Sequence, residues 1–280
     1  MRASMKAAVC IIGAGPAGLI AAVHAAQAGA ATMVVEANAA AGRKLLLTGG
    51  GRCNFTHAGS AQELARTFGT AGRFLRHSLY ELPPDNVREF FRSRGLASRI
   101  EPDGCVFPIS DRATDVLHVL ISEARRLGVC FLYGRPVIEV EAADKGFLIH
   151  TEEQRITAHR VIIATGGVSW PQTGSTGDGY RFAAKLGHKV VPPRPSLVPL
   201  ITREAWAGEL AGVSLPDVRI KTIASGRQFV TTGALVFTQK GIGGPAALDL
   251  SYLLADHLSD DAPGIGVAID MAPDLDEPAF

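Results

Sequence analysis

Three glycines and one carboxylate are the residues whose types and spacing first point to chemistry. An apolar run, Ala8-Val9-Cys10-Ile11-Ile12, leads directly into Gly13-Ala14-Gly15-Pro16-Ala17-Gly18; an Ala-rich helical stretch follows, and a second apolar run, Met33-Val34-Val35, ends on Glu36. In such a turn the first glycine permits a sharp exit from a strand. The second lets the backbone approach a pyrophosphate, and the third lets helix and sheet pack closely. The helix N-terminus adds free N–H groups and the positive end of its dipole. Glu36, 21 residues after Gly15, is placed to accept hydrogen bonds from ribose hydroxyls and disfavours a 2′-phosphate. These residues predict a site for FAD or NAD rather than NADP.

A second cluster runs from Gly42-Arg43-Lys44 to Thr48-Gly49-Gly50-Gly51-Arg52-Cys53-Asn54. Three consecutive glycines imply backbone that passes close to something. A flexible surface loop is the alternative, but it leaves unexplained the cations Arg43, Lys44 and Arg52 on either side. Backbone N–H groups and cations together suit a phosphate-bearing ligand. Cys53 has no second thiol two or three residues away, so packing is the better reading than redox chemistry. The same holds for the isolated His57 and His77, while Arg52 could stabilise negative charge on a reduced ring. No spacing resembles a metal site, and no residue declares itself catalytic.

The elements that must position these residues follow from periodicity. Residues 62–91 read as helical, with Pro83-Pro84 at a helix start; a short strand follows at 104–108. A helix capped by Ser110 or Asp111 then carries apolar residues at Val116, Leu117, Leu120, Ile121, Ala124 and Leu127 until Gly128 stops it. Four strand-like runs come next (129–132, 137–140, 146–151 and 161–164), the middle pair turning at Asp144-Lys145-Gly146 as a hairpin. Arg160-Val161-Ile162-Ile163-Ala164 has the uniform apolarity of a buried parallel strand and delivers Thr165-Gly166-Gly167, where doubly wound sheets bind ligands. A second Gly-rich turn, Thr173-Gly174-Ser175-Thr176-Gly177-Asp178-Gly179, opens a helix over 180–186. After Pro192-Pro193-Arg194-Pro195 the sequence turns to short strands at 197–202, 218–223, 228–232 and 236–238, broken by glycines. The expected organisation is a dinucleotide-binding α/β domain over residues 1–195 and a mainly β module over 196–280.

Composition narrows the class. Of 280 residues 47% are hydrophobic, 20% are charged and 31 are glycine, the profile of a Gly-rich α/β enzyme. The formal net charge is +1, which gives no bulk case for nucleic acid or an anionic membrane and leaves only a local patch. Four scattered cysteines suit a reducing cytoplasm. The first apolar run is better read as a strand than as a leader, because cleavage after it would destroy the Gly-rich turn.

In their order, Gly13 to Gly18 with Glu36, G-R-K-x3-T-G-G-G-R-C-N, Thr165-Gly166-Gly167, T-G-S-T-G-D-G-Y and the segment 238–245 resemble the NAD(P)/FAD-dependent oxidoreductases of the BaiN type. They are similar, more distantly, to the fumarate reductase flavoproteins. The resemblance implies a doubly wound, Rossmann-like FAD-binding domain with a β-meander and an inserted, mainly β module. It implies that Gly13, Ala14, Gly15, Pro16, Ala17 and Gly18 hold the pyrophosphate of FAD and that Glu36 with Ala37 holds the adenosine ribose. Gly42, Arg43 and Lys44 would lie on the adenosine side, with Thr48, Gly49, Gly50, Arg52, Cys53 and Asn54 running towards the flavin. Val137 would flank the adenine, and Thr165, Gly166, Gly167, Gly177 and Asp178 would complete the cradle. Hydride would pass from NAD(P)H, bound transiently, through flavin to a small organic acceptor, without nucleic acid or membrane partners. Members of the family continue beyond the inserted module, whereas this sequence stops inside it, which implies an incomplete flavin half. A catalytically incompetent remnant and a flavoprotein acting on tRNA are the competing readings.

Overall fold

The computed structural model describes residues 4–257 and 264–275; the last residues of the sequence, Phe280 among them, lie outside that range. The chain divides into two compact units, Met1–Val190 and Val191–Phe280.

In the first unit β1 (Ser4–Ile12) leaves through the Gly-rich turn into α1 (Pro16–Gln27) and β2 (Thr32–Val35). There follow β3 (Thr56–His57), α2 (Ala61–Thr67), α3 (Gly72–Glu81), α4 (Pro84–Arg92), β4 (Ser98–Ile100), β5 (Cys105–Pro108) and α5 (Ala113–Arg126). The unit closes with β6 (Cys130–Leu132), β7 (Val137–Ala143), β8 (Gly146–Thr151), β9 (Arg155–Ile163) and α6 (Asp178–Lys185). One six-stranded sheet runs β6-β2-β1-β9-β8-β7, and a small sheet runs β3-β5-β4. β6, β2, β1 and β9 are parallel, and β9, β8 and β7 form an antiparallel meander.

Alternation along the strands separates the two faces. Ile11 and Val34 join Leu19 and Val23 of α1 and Val116 and Leu120 of α5 in one buried cluster. Cys10, Ile12, Met33 and Val35 join Val140, Ile149 and Ile156 of the meander and Phe182 of α6 in another. Each such fully buried aliphatic side chain contributes about 1.5–3 kcal/mol relative to exposure. The meander is therefore continuous with the main sheet. It is joined through β9, whose residues Arg155–Ala158 pair with β1 and β8 together.

Three local expectations are corrected. Val161, Ile162 and Ile163 are half-buried, because among the described residues that end of β9 pairs with β1 alone. The helical stretch before Pro83 breaks once more, at residues 68–71, into α2 and α3. Neither Ser110 nor Asp111 caps α5. Arg112 stands at the N-cap without a side-chain bond, since Asp111 is held by Arg99 at 2.6 Å.

The second unit holds β10 (Leu200–Ile201), α7 (Trp206–Glu209), β11 (Ser214–Ala224), β12 (Arg227–Thr238), β13 (Gly241–Gly243), α8 (Pro245–Leu254) and β14 (Val267–Asp270). Its antiparallel sheet runs β10-β13-β12-β11-β14. Leu250 and Leu254 of α8 are buried with Val218, Ile220, Leu235 and Phe237 of the sheet. The runs at 228–232 and 236–238 are one strand, β12, that continues through Gly233 at φ +136°. Among the described residues no helix is long and apolar enough to cross a membrane.

Candidate functional site

The three glycines of the first turn do different work. Gly13 has φ +107°, and a Cβ there would collide with the carbonyl oxygen of Ala164; at Gly18 it would collide with the carbonyl of Gly13 itself. The fold alone demands both. Gly15 has φ −74°, ψ 177°, which any residue adopts, and no protein atom lies within 4 Å of a Cβ built on it. It caps α1 with Pro16 at the first helical position, so the free amides of the first turn face the same space. That space is a cavity of about 580 Å³ at the carboxyl ends of β1, β2 and β9. A side chain at Gly15 would enter it, so Gly15 fits a ligand rather than the chain.

Glu36 forms one wall and is buried. Its Oε2 accepts from the backbone N–H of Ala14 at 2.7 Å, and its Oε1 accepts from the backbone N–H and side-chain Nδ2 of Asn38 at 2.8 and 2.7 Å. Oε1 thus has both lone pairs engaged, and Oε2 keeps one free to accept. Asn38 is a hub that the sequence reading did not single out. It accepts from Arg43 Nη1 at 2.8 Å and donates to Thr173 O at 3.2 Å. Gly174, at φ +96°, leaves the room it needs, since a Cβ there would stand 2.5 Å from Asn38 Nδ2. The one available signal was that Asn38 is the sole polar side chain between Glu36 and Arg43.

Of the residues anticipated, Gly13, Gly15, Pro16, Ala17, Glu36, Gly42, Arg43, Lys44, Thr165 and Gly166 line this cavity. Ser175, Gly179 and Tyr180 line it too, from the second Gly-rich turn. Lys44 is fixed by donating to Ser169 O at 2.7 Å. Ala14 and Gly18 support the turn from behind. Ala37 is exposed and Val137 sits half-buried on the edge strand β7; neither lines the cavity. Nor do Gly167, Gly177 and Asp178. Gly177, at φ +85°, caps α6, and the Asp178 carboxyl is held low by the Thr176 hydroxyl and then by Arg181.

The Thr48–Asn54 loop faces elsewhere. Thr48, Cys53 and Asn54 line a second, apolar cavity of about 320 Å³ with Phe55, Phe90 and Phe91. It meets the first at Pro16, Lys44 and Leu45, which belong to both. Gly49, Gly50 and Gly51 have φ of +57°, +66° and +90°, so their left-handed backbone accounts for the glycines without a ligand. Arg52 turns away: it donates to Glu101 at 2.8 Å and lies 4.0 Å over the Phe107 ring. Burial pushes the Cys53 thiol up, partly offset by the Thr48 hydroxyl. His57 has both ring nitrogens against backbone carbonyls, of Ala58 at 2.7 Å and Asp103 at 2.9 Å. Exposed His77 stands on α3. Glu139, Glu141 and His150 approach one another closely enough to ligate a metal, but Lys185 is ion-paired with both carboxylates and supplies the positive charge.

This arrangement has known counterparts. The model of the HI0933-like protein Rossmann domain matches residues 7–241. The chain belongs to that family. It is 34% identical over 270 residues to the 3-dehydro-bile acid delta(4,6)-reductase of Clostridium scindens, covering 95% of this chain and 64% of that protein. It is 31% identical over 273 residues to the ribosomal RNA dihydrouridine synthase of Escherichia coli, covering 96% and 65%. The chain thus spans just under two thirds of the length of these two relatives. Among solved structures, the open conformation of a flavocytochrome c3 fumarate reductase matches with a TM-score of 0.51 and 18% identity, over 76% of this chain and 47% of that one. The fold is the Rossmann-type α/β fold of FAD-binding domains.

Proposed function

We propose that the chain is the FAD-binding part of a reductase that passes two electrons from NAD(P)H to an organic acceptor. The observation that carries the reading is Gly15: an ordinary backbone angle and an open Cβ position, at a helix N-terminus, inside the cavity. Pyrophosphate is the group that needs backbone this close and gains from the α1 dipole. Arg43 and Lys44 add positive charge on the cavity wall, and Glu36 Oε2 with Asn38 Oδ1 offers acceptors to ribose hydroxyls. When bound, FAD supplies the hydride exchange, while the protein supplies position and electrostatics. The sequence holds a single G-x-G-x-x-G, which leaves the nicotinamide donor to bind transiently.

The names of two relatives support one class of acceptor. A delta(4,6)-reductase and a dihydrouridine synthase, by their names, each saturate a ring double bond. An activated ring C=C is accordingly the acceptor class proposed, with one hydride and one proton added across it as NAD(P)H becomes NAD(P)⁺. The test begins with flavin. Titrating FAD into the purified chain should quench flavin fluorescence at one site per chain, and Gly15→Val should abolish this. Anaerobic mixing with NADH and NADPH then identifies the donor by bleaching of the flavin band. A wild-type chain that retains no FAD, or a Gly15→Val variant that binds it equally well, refutes the assignment.

A further inference from the structure

We infer that the α2–α3 hairpin is an RNA-contacting surface, with its arginines against backbone phosphates and its aromatic rings stacked on unpaired bases. Between residues 61 and 100 the sequence carries seven arginines and four carboxylates. Four of the arginines are neutralised locally: Arg88 by Asp85 at 3.5 Å, Arg92 by Glu89 at 2.6 Å, Arg94 by Glu123 at 2.7 Å and Arg99 by Asp111 at 2.6 Å. The other three, Arg66, Arg73 and Arg76, all belong to the hairpin and are exposed. None has a carboxylate within ion-pair distance among the described residues. The near-neutral total charge conceals this patch, because most other arginines are spent on internal pairs.

The same hairpin presents its rings to solvent. Phe74 is 88% exposed, Tyr80 50% and Phe68 42%, and the Arg76 guanidinium lies 5.5 Å from the centre of the Tyr80 ring. The packing of the two helices explains why these side chains face outward. A Cβ on Gly72 would collide with the carbonyl oxygen of Ala65, so α3 crosses α2 nearly backbone to backbone. Leu64, Leu75 and Leu79 are half-buried on the inner side. Arg73, Arg76, His77 and Tyr80, at i, i+3, i+4 and i+7, form one outward stripe, with Phe74 beside it. A phenyl ring this exposed adds little to the stability of the hairpin, and the arginines around it have no ion-pair partner among the described residues. Cations that meet phosphates and rings that stack on any base are what single-stranded nucleic acid requires. The inference rests on the reductase reading for what the RNA would bring, a uracil ring double bond, and on the hairpin alone for the contact.

The test uses the full chain and a short, fluorescein-labelled, uridine-rich single-stranded RNA, with anisotropy recorded at several salt concentrations. Wild type should bind with an affinity that falls with salt. The double variant Arg73→Ala/Arg76→Ala should lower the slope of log affinity against log salt by about 1.4, at about 0.7 per lost phosphate contact. Phe74→Ala should weaken binding about 5- to 150-fold at fixed salt, the equivalent of about 1–3 kcal/mol for one stacked base. Thermal melts and flavin content are read on the same samples. Hairpin-dependent RNA binding by a chain without flavin supports this inference and defeats the reductase reading. RNA binding that is absent, or unchanged in all three substitutions, overturns the inference even if flavin is retained. So does binding to phosphatidylserine–phosphatidylcholine vesicles without binding to RNA.

Discussion

The Glu36 carboxylate accepts a hydrogen bond at 2.7 Å from the backbone N–H of Ala14, 22 residues earlier in the chain. That bond ties the end of β2 to the turn leaving β1, and through Asn38 it extends to Arg43 and Thr173. The residue expected to hold a ribose is therefore also a brace for the turn that faces the cavity.

This dual role has a measurable consequence. Glu36→Ala leaves the Ala14 N–H without its acceptor, and urea denaturation of the flavin-free chain should show a loss of about 1–3 kcal/mol. FAD affinity should fall as well. A variant with unchanged stability would reduce Glu36 to a ligand contact.

Gly15 and Gly18 should separate cleanly. Gly15→Ala places its methyl in open space at an unstrained angle, so the melting temperature should hold while FAD retention drops. Gly18→Ala drives a methyl into the Gly13 carbonyl and should cost about 1–3 kcal/mol or more. Thermal melts with parallel flavin absorbance decide it; the opposite pattern would put the ligand at Gly18.

Glu123 should make the first unit acid-sensitive. The Arg126 side chain and then Arg94 hold its carboxyl down to about 2, from an ordinary 4.5. A depressed carboxylate stabilises fully above its unfolded-state value, and that contribution is lost as pH falls from about 4.5 towards 2. Glu123→Gln should lie about 1–3 kcal/mol below wild type at neutral pH, with the gap closing across that window. Parallel pH–stability curves for the two proteins would contradict the assignment.

The thiols should react in order of exposure. Cys130 is exposed. Burial pushes Cys10 up to about 12 and raises Cys53 as well, so neither is a thiolate near neutrality. An aromatic disulfide reagent should label Cys130 at once and Cys10 and Cys53 only after denaturation. Rapid labelling mapped to Cys53 by peptide mass would reopen a redox role for it.

Arg52 offers a last contrast. Its ion pair with Glu101 is 41% exposed on the arginine side, so Arg52→Ala should change stability by about 0.2–1 kcal/mol and leave FAD affinity unaltered. A large loss of flavin, followed by fluorescence titration, would place the arginine at the ring after all.

By itself the sequence determined the strand–turn–helix of the first 36 residues, a strand through Val161–Ile163, the hairpin at Asp144-Lys145 and the helix start at Pro84. Each of these depends on neighbours in sequence: glycines at fixed offsets, a period of two or 3.6, a proline at the first helical position. Only the tertiary structure decided the rest, because it depends on partners distant along the chain. Asn38 became a hub through Thr173, 135 residues away. Arg52 was drawn from the expected ligand side to Glu101, and the Thr48–Asn54 loop was turned towards Phe90 and Phe91. The motif gives Gly15 and Gly18 different roles but not the contacts that enforce them. What enforces them is empty space beside one and the Gly13 carbonyl against the other, and that exists only once the chain has folded.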